Sequence, residues 1–236
     1  MIVLDFYGLH GVGKSTFILA LMDELHARGI TYKDRPFYPQ TASAFQKLII
    51  MIKPLLSLKE FGFNAAVLLY MLKGRFGVHP IIWAFHAMIK CNYYLRKAMD
   101  KKEYDVLIFD EGFIQQPARL DKRIEGSDFA FCFLCREIKK RYSENFFICC
   151  AASDEEWIRR RRNRRRKNGQ TDPRGKEEKW ICSGRIMKQN FQAVKCVITP
   201  KKSIELNLER NAKENIRIII TAIEPYLKKE QEKEHI

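Results

Sequence analysis

Eight residues near the start of the chain carry its most specific chemistry. Gly8-Leu9-His10-Gly11-Val12-Gly13-Lys14-Ser15 satisfies G-x-x-x-x-G-K-[ST] at every fixed position. Glycines let consecutive backbone N–H groups turn inward around an anion. A lysine adds a point charge between two phosphates, and a hydroxyl joins the shell of a divalent metal. Gly8, His10, Gly11, Val12, Gly13, Lys14, Ser15 and Thr16 are therefore expected to cradle a nucleoside triphosphate. Lys14 would bridge its β- and γ-phosphates, and Ser15 would ligate Mg²⁺.

Other chemistry-bearing residues lie further along. The apolar run Tyr104-Asp105-Val106-Leu107-Ile108-Phe109 ends in Asp110 and Glu111, a Walker B pattern that places Asp110 to hold Mg²⁺ directly or through water. An acid capping the next helix is the plainer reading. Glu111 either accepts a proton from the attacking group or pairs with a nearby cation. Gln115 and Gln116 open an acceptor-side loop as amides for a polar acceptor, or else are exposed helix residues. Asp34 and Arg35 stand at the end of a second strand, where open α/β sheets bind ligands; a solvated turn is the alternative.

The run Arg159-Arg160-Arg161-Arg162-Asn163-Arg164-Arg165-Arg166-Lys167 repels itself, so it needs an anion nearby or open water. On a helix Arg159, Arg162 and Arg166 share a face and could clamp phosphates bidentately, with the polar stretch Asn168–Gly175 as the tip of a closing lid. A solvated face and a nucleic-acid arm compete with this. Few aromatics interleave with the arginines to stack bases, which counts against nucleic acid as a partner.

These residues need elements to position them. The glycine-rich loop requires a strand before it and a helix after it. The sequence supplies Ile2–Tyr7, apolar throughout apart from Asp5, and then a helix from Lys14 to about Arg28 that Gly29 ends. Further strands are expected at about Ile30–Lys33, Tyr104–Phe109, Phe146–Ala151 and, briefly, Cys196–Ile198. Helices are expected over Ser127–Tyr142, from Ser153 through the arginine run, over Trp180–Ala193, and as a long closing helix over Ile204–Lys229.

From Thr41 to Met99 the chain reads as helical and apolar, with eight lysines and arginines against Glu60 alone, and Pro54 kinks or ends one helix. These helices either cover the sheet and wall the acceptor pocket, or present a basic amphipathic face to an anionic membrane.

The chain of 236 residues is long enough for one domain with a large core, and no repeat or linker divides it. A formal charge of +15 favours anionic partners without choosing among nucleotides, nucleic acid, lipid and phosphorylated sugars. Seven scattered cysteines suit reduced thiols in the cytoplasm, and the isolated pair Cys132 and Cys135 reads as core rather than zinc site. With a strand expected from residue 2, no signal peptide is expected within these residues. The apolar stretches Phe61–Leu72 and Phe76–Ile89 are shorter than the roughly 18–20 residues a bilayer span needs.

Taken together, the glycine-rich loop, Asp34-Arg35-Pro36 after strand two, Asp110 closing strand three and an arginine-rich helix before a lid resemble the nucleoside-monophosphate kinase group of P-loop kinases. Thymidylate kinase is the most similar member, and the resemblance covers nearly the whole chain. It implies an acceptor- and Mg²⁺-positioning role for Asp34 and Arg35. It also aligns Asp110-Glu111 with an Asp-Arg pair whose arginine holds the acceptor phosphate. Glutamate in that place argues against an ordinary monophosphate acceptor.

The expected architecture is an α/β three-layer sandwich: a single domain over residues 1–236 with a five-stranded parallel sheet, helices on both faces and right-handed crossovers. An acceptor-side helical region spans about 41–99, and an arginine-rich lid about 159–176. The expected activity is transfer of the γ-phosphoryl of Mg·ATP to a phosphate or hydroxyl acceptor. Lys14, Asp34, Arg35, Glu111, Arg159, Arg162 and Arg166 would do the catalytic work, and Ser15 and Asp110 would hold the metal. Other classes stay open: a kinase of a sugar or lipid-linked acceptor at a membrane, a partner-regulated ATPase in which Glu111 activates water, or an inactive relative that binds through its basic surface. A homodimer is compatible with all of them.

Overall fold

Strand β1 (Ile2–Gly8) is buried at every residue, and the other elements are built around it. The computed structural model describes residues 1–34, 52, 55–73, 78–101, 103–120, 128–167 and 177–234. β2 (Tyr32–Asp34), β3 (Val106–Asp110), β4 (Phe146–Ala151) and β5 (Lys202–Asn207) complete a five-stranded, all-parallel sheet in the order β2-β3-β1-β4-β5. The central strands are continuous apolar runs because helices cover both faces. Edge strand β5 alternates, with Leu206 buried while Ser203, Glu205 and Asn207 are exposed. Since all five strands run the same way, Gly8, Asp34, Asp110, Ala151 and Asn207 end along one edge, where such sheets bind ligands. The register sets Phe6 beside Asp110 and Gly8 beside Cys150, so the glycine-rich loop and the acid of β3 leave the sheet together.

Helix α1 (Lys14–Ala27) buries Phe17, Ile18, Leu21 and Leu25, spaced three and four apart, against the sheet. A short 3₁₀ turn (Leu58–Glu60) leads into α2 (Phe61–Lys73), and α3 (Val78–Lys101) follows. After β3 comes the short α4 (Gln115–Leu120), the helical of the two readings open for Gln115 and Gln116. α5 (Phe129–Tyr142) starts at Asp128, whose Oδ1 accepts from the N–H groups of Ala130 at 2.8 Å and Phe131 at 3.2 Å. Cys135 of this helix is buried in the core. α6 (Asp154–Lys167) has three acids in its first turn and cations in its last, the arrangement the helix dipole favours. α7 (Glu177–Ile198) and α8 (Ala212–Glu234) complete the fold.

Two expectations fail on the far side of the sheet. Cys196–Ile198 is not a strand. It is the last turn of α7, because Val194 and Ile198 continue the buried face begun by Phe191. The helix stops where Thr199 takes φ +46° and Pro200 follows. The fifth strand lies at Lys202–Asn207 instead, so the closing helix begins at Ala212 rather than Ile204. Asn211 caps it, accepting from Lys213 N–H at 3.0 Å. The proposed helices before residue 52, Pro54 and Phe76–Gly77 lie outside the described residues.

Inside β1, Asp5 is fully buried, with Oδ2 accepting the Phe113 N–H at 2.7 Å. Burial pushes its carboxyl up to about 7, although the backbone N–H groups of Phe113 and Gly112 pull the other way. A folded-state value above the unfolded one of about 3.9 means that the folded chain keeps the proton longer. The stability this contributes is complete below about pH 4 and is lost as pH rises through about 7. Replacing Asp5→Asn is expected to flatten that component, so the drop in Tm between pH 5 and pH 8 becomes smaller than in the wild type. An unchanged drop would show that Asp5 does not titrate in this range.

Candidate functional site

The loop from Gly8 to Ser15 is held from outside by a ring of ties. Lys14, almost fully buried, donates from Nζ to the carbonyls of Gly8 at 3.0 Å and Leu9 at 3.4 Å. Trp157 Nε1 donates to the His10 carbonyl at 2.9 Å, and Arg160 Nη1 donates to the Val12 carbonyl. Gln115, wholly buried, accepts the Gly8 N–H with Oε1 at 2.9 Å. With these carbonyls engaged, the loop and the start of α1 are the kind of backbone that binds an anion through its N–H groups. Glycine is required at two points. Gly8, at φ +150°, lies where a Cβ would run into the Cys150 carbonyl. Gly13, at φ +111°, would bring a Cβ to 2.9 Å from Arg160 Nη1.

The expected metal residues are brought together. Ser15 Oγ donates to Asp110 Oδ2 at 2.7 Å across the gap between α1 and β3. Asp34 lines the same cavity of ≈ 190 Å³ as Ser15 and Asp110, with Ile18, Leu19, Met22 and Ile108. One hydroxyl and two carboxylates are hard oxygen donors of the type Mg²⁺ takes, so the residues fit that ion. Arg35 lies outside the described residues.

Glu111 has φ +74°, a left-handed conformation that non-glycine residues rarely adopt. Its carboxylate is occupied: Oε2 accepts from Arg119 Nη1 at 2.8 Å, and Oε1 lies 3.2 Å from His10 Nδ1. Partial burial acts to raise its pKa, but His10, Arg119 and Lys14 outweigh this and hold it below the usual range. Gln115 and Gln116 are not acceptor amides in a loop. Both stand in the first turn of α4, Gln115 gripping Gly8 and Gln116 donating from Nε2 to the Glu111 carbonyl at 2.9 Å.

Part of the arginine run is paired locally. Glu156, between Arg159 and Arg160, binds both: Arg159 Nε and Arg160 Nε each reach it at 2.6 Å, and the two cations push its carboxyl down to about 2. Arg162 pairs with Glu177 at the start of α7. Arg161 stacks between indoles, its Cζ 5.6 Å from the Trp157 ring centre and 4.7 Å from that of Trp180, and Arg165 lies 5.5 Å from Trp180. Arg159, Arg162 and Arg166 do share a face. In this state, however, the arginine that reaches the glycine-rich loop is Arg160, which also donates from Nη2 to the Leu208 carbonyl at 2.9 Å. The signal for Arg160 was available in Trp157, three residues earlier: a large apolar residue marks the inward face of an otherwise charged helix. The expected lid tip, Asn168–Gly175, lies outside the described residues.

Beside the loop, a cavity of ≈ 330 Å³ is lined by Gly13, Thr16, Phe17, Arg160, Leu208 and Arg210, among others. Apolar walls with a few polar groups suit a flat heterocycle. Gly184 of α7 leaves room for Trp157: a Cβ there would lie 2.8 Å from the indole. Gly184→Ala is therefore expected to displace Trp157 from His10, costing about 1–3 kcal/mol of stability and weakening nucleotide binding. Unchanged binding and Tm would show that the indole can move freely.

No protein-family model matches the chain, and no curated protein matches it in sequence. Among solved structures it is similar to deoxyadenosine kinase from M. mycoides, in complexes with dCTP and with dATP. Each has a TM-score of 0.49 and 13% identity, and the match covers 95% of this chain and 100% of the other. Shikimate kinase from Bacteroides thetaiotaomicron follows, with a TM-score of 0.43, 13% identity and coverage of 94% and 98%. Likeness at this level says nothing of the acceptor.

Proposed function

We propose that the chain is an ATP-dependent phosphotransferase that moves the γ-phosphoryl of Mg·ATP to a small acceptor carrying a phosphate or a hydroxyl. The observation that carries this reading is the meeting of Ser15 and Asp110 at 2.7 Å, at the foot of the glycine-rich loop. Asp34 lines the same cavity on the β2 side. A donor loop, an oxygen set suited to Mg²⁺ and a further carboxylate thus adjoin one another beyond the strand ends.

In this account the base and ribose of the donor occupy the cavity between Phe17, Arg160 and Leu208, and the triphosphate lies on the loop. Mg²⁺, when bound, supplies neutralisation of charge on the transferring group. Lys14 leaves the Gly8 and Leu9 carbonyls and engages the β- and γ-oxygens. Arg160 guards the donor side of the loop. Arg159, Arg162 and Arg166 act on transition-state charge once a closing lid trades Glu156 and Glu177 for phosphate oxygens. A hydroxyl acceptor needs a base, and Asp34 supplies it; a phosphate acceptor needs none. Calorimetric titration with Mg·ATP tests the donor site. One nucleotide per chain is expected, bound more weakly once the metal is chelated. No heat with any nucleoside triphosphate would end this reading.

Peripheral contact with a membrane is a second reading, which would suit a lipid-linked acceptor. It is favoured by the exposed apolar side chains of Leu58, Phe61 and Leu72 in a chain of charge +15. No helix among the described residues is long and apolar enough to cross a bilayer.

A further inference from the structure

We propose that Glu111 is a positioning residue: a strut that holds the tip of the phosphate-binding loop, through His10, to Arg119 on α4. The proposal rests on the reading of Gly8–Ser15 as the donor site and goes beyond it by assigning what keeps that loop in shape.

The geometry is specific. Each carboxylate oxygen has its own partner, His10 Nδ1 at 3.2 Å and Arg119 Nη1 at 2.8 Å. The main chain of Glu111 is pinned on both sides as well. Its N–H donates to the Phe6 carbonyl at 3.0 Å, and its carbonyl accepts Gln116 Nε2 at 2.9 Å. Only such over-determination keeps a non-glycine residue at φ +74°, where strain of about 1–3 kcal/mol is usual. His10 is held a second time, by Trp157 on its carbonyl. The loop tip is therefore gripped from the β3 side through its imidazole and from the lid side through its backbone.

A general base needs an oxygen open to the acceptor and a proton affinity near the working pH. Glu111 lacks the first: both of its oxygens are engaged, one by His10 and one by Arg119. A strut needs the reverse, a carboxylate whose two oxygens have partners on two different elements. His10 and Arg119 are each 42% exposed, so the pairs add little to global stability. Their effect falls on the geometry of the loop.

The test is a double-mutant cycle on Mg·ATP affinity with the full chain, using wild type, Glu111→Gln, His10→Ala and the double variant, with Tm measured for each. Each single change is expected to weaken binding by about 5–10-fold, and the double variant to bind no worse than the weaker single, a coupling of about fivefold or more. Tm should stay nearly constant, which a merely structural role would not allow. Effects that multiply, or a Glu111→Gln protein that binds ATP as the wild type does while losing turnover, would overturn the strut and restore Glu111 as a base. If Glu111→Gln does not fold, Arg119→Gln replaces it in the cycle with the same expectation. A wild type that binds no nucleotide overturns the donor-site reading and the strut together. A wild type that binds, with uncoupled variants, overturns the strut alone.

Discussion

Lys14→Ala is expected to leave a folded protein whose phosphoryl transfer falls by about 10³ or more. Lys14 is almost fully buried at the base of the loop, and its Nζ is held by the Gly8 and Leu9 carbonyls. Nothing else in the loop carries a positive charge that could reach between two phosphates: Arg160 is tied to Val12, Leu208 and Glu156. Truncation removes that charge. The barrier rises because charge on the transferring group must be met by fixed positive groups. Fold is preserved because the sheet and the packing of Phe17, Leu21 and Leu25 do not depend on the ammonium. Turnover within tenfold of the wild type, at unchanged Tm, would mean that this loop does not hold the reacting phosphates.

The second large effect is expected at Asp110. Its Oδ2 accepts from Ser15 Oγ at 2.7 Å, and it stands at the end of β3 in register with Phe6 of β1. Asp110→Asn keeps the shape and can still accept the serine proton, but the negative charge that draws a divalent cation is gone. The fall in kcat should be about 10²–10³, the several kcal/mol a metal contributes to charge stabilisation. Metal-free nucleotide binding should hardly change. The check is the Mg²⁺ dependence of turnover, in which the variant's midpoint moves to higher concentration. A variant with normal kcat and a normal midpoint would place the metal elsewhere.

These two residues were legible in the sequence because their signals are local. Lys14 follows two glycines at fixed spacing, and Asp110 follows a run of buried apolar residues that can only be a central strand. What surrounds them was not legible, because the contacts join distant parts of the chain. Trp157 and Arg160 reach His10 and Val12 across about 150 residues, and Gln115 reaches Gly8 across more than 100. The arginine run shows the same limit. Its charge announced a need for anions, but the partners are Glu156 within the helix and Glu177 beyond it, with two indoles taking Arg161 and Arg165. The fifth strand was misplaced for a physical reason too. An edge strand buries only one face, so Lys202–Asn207 carries a weak apolar signal, while the end of α7 offers three apolar residues in a row. Asp34 was read as lying just beyond β2 and instead ends it, close enough to share a cavity with Ser15.

The claim that organises these observations is that the γ-phosphoryl goes to a small acceptor and not to water. It is tested most directly by steady-state ADP release from Mg·ATP by the wild-type chain, with and without nucleosides, nucleoside monophosphates and sugars as acceptors. Release should be slow alone and rise at least about tenfold with one acceptor class, as expected when the second substrate completes the site. The phosphorylated product should appear in equal amount, and both should vanish in Lys14→Ala. Brisk ADP release that no acceptor accelerates, accompanied by inorganic phosphate alone, would contradict the account and make the protein a hydrolase.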